Sequence, residues 1–187
     1  MILKTIAVIA VLIIIFILAV LLFATTKPST FQVERSVTIQ APPGTIFMMI
    51  DDLHIWPRWS PQDLLNPKMK RTYSGNDTGV GAASDWNGPR RAGKGHMVIT
   101  ESVPQKSVVI KVDWEKPFAA ENINRFTFEP DGTGTKVTWS LQGQNVYAMK
   151  VMGVFMNVDR KMGEHLELGL SDLKAIAESP VLRSLGQ

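Results

Sequence analysis

Apolar and polar positions along this chain pass through three regimes. From Ile6 to Ala24 there is no period: nineteen consecutive apolar residues, IAVIAVLIIIFILAVLLFA, leave no polar face. As a helix rising about 1.5 Å per residue, the run spans ~28 Å, the thickness of a bilayer's hydrocarbon core. It is longer than the roughly 7–15 apolar residues of a secretory signal peptide, and no A-x-A cleavage pattern follows. Residues 1–24 are therefore read as an uncleaved, single-pass transmembrane anchor. Lys4 flanks one end and Lys27 and Arg35 the other, so charge barely sets the orientation. The very short N-terminal tail suits a signal anchor with its N-terminus inside. That places residues 25–187 on the outer, periplasmic or extracytoplasmic side. Residues 25–30, TTKPST, form a polar linker that reaches at most ~20 Å.

The second regime has period two. In FQVERSVTIQ (31–40), Val33, Val37 and Ile39 alternate with polar residues, as in a half-buried strand, with Arg35 the one discord. APPGTIFMMIDDL then reads as a short helix opened by prolines, and HIWPRWSPQ as a helical turn at most. Six further strands follow: KMKRTYSG, GVGAASDWNG, AGKGHMVITESV, KSVVIKVDWEK, NINRFTFEP and TKVTWSLQG. Glycine, proline or Asp131-Gly132 turns separate them, which predicts an antiparallel meander. No helical stretch interrupts it, so parallel crossovers are excluded.

The third regime has helical period. Val151, Phe155, Val158, Met162, Leu166, Gly169, Leu173 and Ile176 fall at steps of three and four. They predict one continuous amphipathic helix from Tyr147 to Glu178, which Gly153 and Gly163 could bend. Gly169 would allow close approach to the sheet. The expected fold class is α+β, a curved seven-stranded antiparallel sheet around a long C-terminal helix, with a cavity between them. The domain spans 31–178, and 179–187 is a loose tail.

Composition narrows the chemistry. There are no cysteines, which excludes disulfides, thiolate catalysis and cysteine-ligated zinc, and three histidines in no metal-binding pattern. No metal site and no cofactor are expected. The net charge of +3, with basic residues scattered among acidic ones, gives no nucleic-acid footprint. GPRRAGKGH (88–96) mimics a phosphate-binding loop, but Gly95 stands where Ser or Thr is needed and a strand pattern follows in place of a helix. GVGAAS likewise opens a strand. No nucleotide site is expected.

With those elements in place, the chain resembles the START-like, helix-grip superfamily, specifically SRPBCC proteins of the polyketide cyclase/dehydrase and lipid transport type. The resemblance covers nearly all of residues 31–178. It is carried by VERSVTIQAPPGTIF, DLHIWPRWSP, SGNDTGVGAASDWNG, AGKGHMVITESVP, GTKVTWSLQGQN and the helical segment KVMGVFMNVDRKMGEHLELGLSDLKAIAE. Gln62 departs from it, standing where an aromatic often follows Trp-Ser-Pro, and so does Gly44, which replaces a more usual acidic residue. The resemblance implies a cavity for a hydrophobic small molecule or lipid, without choosing among carriers, cyclases, hydroxylase subunits and chaperone regulators.

The candidate pocket residues are Trp56, Trp59, Trp86, Trp114, Asn124, Phe126, Trp139, Met152, Phe155 and Met156. Trp114 and Trp139 share parity with inward-facing aliphatics. Asn124 shares a face with Phe126 and Phe128 and could orient a carbonyl or headgroup. The methionines of the helical segment adapt to varied apolar shapes. Arg90, Arg91 and Lys94 are a basic cluster that could meet lipid headgroups. Asp85, His96, Glu101, Asp113 and Asp159 are acid–base candidates by type only, and no catalytic pair is assigned. The expected function is a membrane-anchored binding domain for a hydrophobic ligand. The alternatives are a cyclase or dehydratase-type enzyme and a protein-interaction module.

Overall fold

Helix α1 spans Ile2–Thr25, and its segment Lys4–Thr25 (mean hydropathy 3.7) is long and apolar enough to cross a membrane. Its side chains are exposed along almost its whole length; near its end Ala24 is buried. The structure, a computed structural model, describes residues 2–89 and 92–179. The tail expected at 179–187 therefore lies, from residue 180 on, outside the described residues.

Four residues separate the end of α1 from strand β1 (Thr30–Ile39). Val33 and Ile39 point into the core, as the alternation requires. Between β1 and β2 (Lys70–Ser74) the chain forms α2 (Pro43–Asp51), a 3-10 turn at Trp56–Arg58 and a short α3 (Pro61–Leu64). A proline lies in the first turn of each of the three, where its missing N–H leaves no hydrogen bond unmade. The chain then runs back through β3 (Ala83–Asn87), β4 (Lys94–Val103), β5 (Ser107–Lys116), β6 (Ala120–Asp131) and β7 (Gly134–Gln144). The sheet order is β1-β7-β6-β5-β4-β3-β2, antiparallel throughout, so β1 and β2 are its two edges and the helices between them carry the chain from one edge to the other. In β4, Ile99 pairs with Ile110 and Glu101 with Val109, which leaves Thr100 as an extra residue and bends the strand.

Helix α5 (Val158–Ala177) lies in the grip of this sheet and buries Leu166, Leu170 and Leu173 against it. At Gly169 a Cβ would stand 2.7 Å from the Trp139 ring and 3.0 Å from Pro61, so the close approach of helix and sheet needs glycine there. Arg35, the discord in β1, faces α5. Its Nε donates to Glu167 at 2.6 Å and its Nη2 to Asp159 at 3.1 Å, with Gly163 between them leaving room for the guanidinium. Asp159, Gly163 and Glu167 are spaced by four and so share one helix face.

The expectation of one continuous helix needs correction. The helix is broken: α4 (Tyr147–Phe155) ends before Met156, which is extended, and Asn157 caps α5 by accepting from the Arg160 N–H at 3.0 Å. The two pieces bury different things. α5 packs on the sheet, whereas α4 packs against α1, where the Tyr147 hydroxyl donates to the Leu21 carbonyl at 2.9 Å.

Candidate functional site

The grip is filled at its centre by aromatic rings. Trp59 is fully buried, with its ring centroid 4.7 Å from Trp56, 5.9 Å from Trp139 and 6.1 Å from Phe126. Phe126 and Trp139 lie 4.8 Å apart on neighbouring strands. Each buried indole N–H has an acceptor. Trp56 donates to the Ile50 carbonyl at 2.9 Å, Trp59 to Met49 at 3.1 Å, and Trp139 to the Asn124 side-chain oxygen at 2.8 Å. Asn124 does face inward with Phe126, and its oxygen is engaged in holding Trp139. Trp56, Trp59, Asn124, Phe126 and Trp139 are thus brought together as one packed cluster.

A second aromatic pair stands beside it. Trp86 and Trp114 meet edge to face at 5.0 Å. Trp86 lies over Gly95, where a Cβ would come 2.5 Å from its six-membered ring. The phosphate-loop look-alike thus resolves into structure: Lys94 opens β4, and Gly95 makes room for an indole. Trp114 is half-buried, and with the Asn122 amide turned to satisfy both neighbours its N–H donates to Asn122 Oδ1 at 3.1 Å.

Trp114 also forms the wall of a pocket of about 330 Å³, shared with Pro61, Gln62, Leu65, Asn66 and His165. It opens where α3, β5 and α5 meet. Leu65 and Trp114 give it apolar walls, while Gln62, Asn66 and His165 supply polar groups. Gln62 donates to the Ala92 carbonyl at 3.2 Å, and Asn66 to the Gln62 carbonyl at 2.7 Å, so both amides are fixed. His165 is exposed by area, yet the protein around its ring desolvates the imidazolium and lowers its pKa below the ordinary histidine value. Behind the pocket, Arg71 of β2 grips Asp63 of α3 through two hydrogen bonds of 2.6 and 2.7 Å, both side chains being more than nine-tenths buried. This pair fixes α3, and with it Pro61, Gln62 and Leu65, to the sheet. Sequence reasoning singled out Trp114 of this set and missed the rest. The departure at Gln62, a polar residue in an aromatic slot, was the available signal.

The remaining candidates lie elsewhere. Met152, Phe155 and Met156 are exposed around the end of α4, apart from both aromatic groups. Lys94 pairs with Glu115 at 2.6 Å, and Arg90 and Arg91 lie outside the described residues. His96 shares the outer face of β4 with Val98, and its Nδ1 sits 3.0 Å from Asp85 on β3, away from the core. Among the described residues no group of three or more His, Asp or Glu side chains is placed to hold a metal ion.

An antiparallel sheet closed around one long helix, with a pocket at the edge of an aromatic core, defines the helix-grip class. Within it the chain belongs to the polyketide cyclase/dehydrase and lipid transport family, whose pattern matches residues 30–178. No curated protein matches the chain. Among solved structures it is similar to protein CV1439 from Chromobacterium violaceum, with 18% identity, a TM-score of 0.57, and coverage of 81% of this chain and 99% of that one. It is similar to ginseng major latex-like protein 151 from Panax ginseng, with 14% identity, a TM-score of 0.59, and coverage of 81% and 100%. It is also similar to the di-domain ARO/CYC StfQ from the steffimycin biosynthetic pathway, with 12% identity, a TM-score of 0.62, and coverage of 80% of this chain and 51% of that one. At these identities the likeness is one of fold.

Proposed function

We propose that this protein is a membrane-tethered binding domain that takes up a hydrophobic small molecule or lipid at the pocket beside Trp114. One observation carries the reading. An indole and a leucine line the pocket together with two fixed amides and a histidine held toward its neutral form, at the margin of an aromatic core. Such a site suits an apolar ligand with one carbonyl or hydroxyl, its apolar part against Trp114 and its polar end among Gln62, Asn66 and His165. Family membership supports the same class of ligand. In this reading α1 is the single-pass anchor, the domain lies on its outer side, and ligands pass between bilayer and pocket with little exposure to water.

The test is native mass spectrometry of the full chain, released from detergent after incubation with a lipid extract. The expected result is a discrete small-molecule adduct. Trp114→Ala removes roughly 60 Å² of apolar contact, worth ~1.5 kcal/mol at ~25 cal/mol per Å², so retention should fall about tenfold. A folded chain that retains nothing from any extract would end this reading.

A further inference from the structure

A second pocket, of about 500 Å³, lies where α1 ends, α4 ends and α5 begins. Its polar wall is Lys27, Asn145, Lys150 and Asn157, and its apolar wall includes Gly153, Phe155 and Met156. Both lysines are half-buried, and among the described residues neither has a carboxylate within 4.0 Å. The other described lysines that lack one, Lys4, Lys68, Lys70, Lys106 and Lys116, are all exposed, whereas the other half-buried ones, Lys94, Lys111 and Lys174, each have one. Lys27 instead lies 4.9 Å from the centre of the Phe23 ring. The side-chain oxygen of Asn145 is buried without a hydrogen-bond donor, while its amide nitrogen donates to the Pro28 carbonyl at 3.1 Å. The pocket thus offers two uncompensated cations, which together fit an anion.

Position and surroundings say which anion. The pocket is level with the last turn of α1, since Tyr147 of α4 bonds to Leu21 and Lys27 follows Thr25 by two residues. Phe155, Met156 and Met152 are exposed (64%, 46% and 42%) beside it, and no other described residue covers them. Lysines flanking an apolar span, with an aromatic and methionines on a short helix alongside, are placed as in a helix lying at a membrane surface. We propose that this junction binds the headgroup of an anionic phospholipid, with α4 resting in the bilayer interface. The phosphate sits between Lys27 and Lys150, and the acyl chains run along Phe155 and α1. A free phosphate would leave that apolar wall exposed to water.

This rests on α1 being a membrane anchor, so the experiment separates the two. Membranes holding the full chain are first washed at alkaline pH, and the chain is then solubilised in detergent and studied by native mass spectrometry with phosphatidylglycerol and phosphatidylcholine in equal amounts. Retention in the alkaline-washed membrane upholds the anchor; release overturns the anchor and the headgroup site together. With the anchor upheld, phosphatidylglycerol should be preferred. Each lysine should contribute about fivefold. Lys27→Gln with Lys150→Gln should abolish the preference, and Lys27→Arg with Lys150→Arg should restore it in an equally well-folded chain. Equal retention of both lipids, or a preference unchanged in the glutamine variant, overturns the headgroup site alone. Displacement of the lipid by excess inorganic phosphate overturns its assignment to a phospholipid.

Discussion

Arg71 and Asp63 lie on an edge strand and a four-residue helix, yet they are among the most buried charges in the fold. Removing one partner leaves the other charge buried and uncompensated, which costs about 3–5 kcal/mol. Arg71→Met should therefore lower stability by that amount in denaturant unfolding, and Arg71→Met with Asp63→Leu should recover most of it. An equal loss in both variants would show that packing, not charge, dominates. His165 gives a pH signature. Its folded pKa is lowered by desolvation, so between the folded value and the unfolded value of about 6.5 the unfolded chain binds more protons. Stability contributed by the neutral ring is whole above about pH 6.5 and declines as pH falls toward the folded pKa. Thermal unfolding of the wild type should weaken across that acid range relative to His165→Gln; parallel pH profiles would remove His165 as the source. Neither group was legible in the sequence. The partners of Arg71 and His165 are set by how α3 meets the sheet and α5, and no local spacing reports that.

At the level of elements, the period-two regions read well because parity sets which face meets the core, even though Val109 on the other face is buried too. Val33 and Ile39, Val108 and Ile110, and Phe126 and Phe128 all fall inward as alternation requires. The helical third read less well for the same kind of reason. Phe155, Val158 and Met162 keep the three-and-four spacing straight across the break, so periodicity hid it. Asn157 was the local clue, being a residue that caps helices well. Asn157→Ala should cost about 1 kcal/mol, measured as a lower unfolding midpoint, while Asn157→Ser should hold close to the wild type. If alanine leaves the midpoint in place, the cap contributes nothing and the break is set by packing on α1 alone. Arg35 makes a related point. Its anomaly in β1 was visible, but its partners lie 124 and 132 residues away.

For the whole molecule, the strand order and the grip followed from the succession of turn signals, and family membership bears them out. The expectation of one pocket gathering all the tryptophans and the α4 methionines did not anticipate how the volume is divided. Large aromatic side chains occupy the centre themselves, and open space remains at the margins, beside Trp114 and beside Lys27. Residue volume, unlike parity, cannot be summed before the sheet's curvature is known. The proposed topology has a direct readout, because the chain has no native cysteine. Asp77→Cys, on an exposed turn, should react with a membrane-impermeant maleimide in intact cells whose outer barrier has been opened. Reaction that requires lysis of the inner membrane would reverse the orientation.

Residues 26–29 join α1 to β1, and they are not slack. The Ser29 carbonyl accepts from the Asn145 N–H at 2.8 Å, the Pro28 carbonyl from its side chain, and Lys27 closes a turn onto Ala24. A loose leash would let the domain sweep a hemisphere above its attachment point. A stitched connection gives it one polar angle and one height. For a protein anchored in this way, rotation about the axis of α1 and lateral drift would be the motions that bring the Trp114 pocket to a new partner. Exchange rates should then follow the surface density of donors and acceptors, scaling per unit area of membrane and not with bulk concentration.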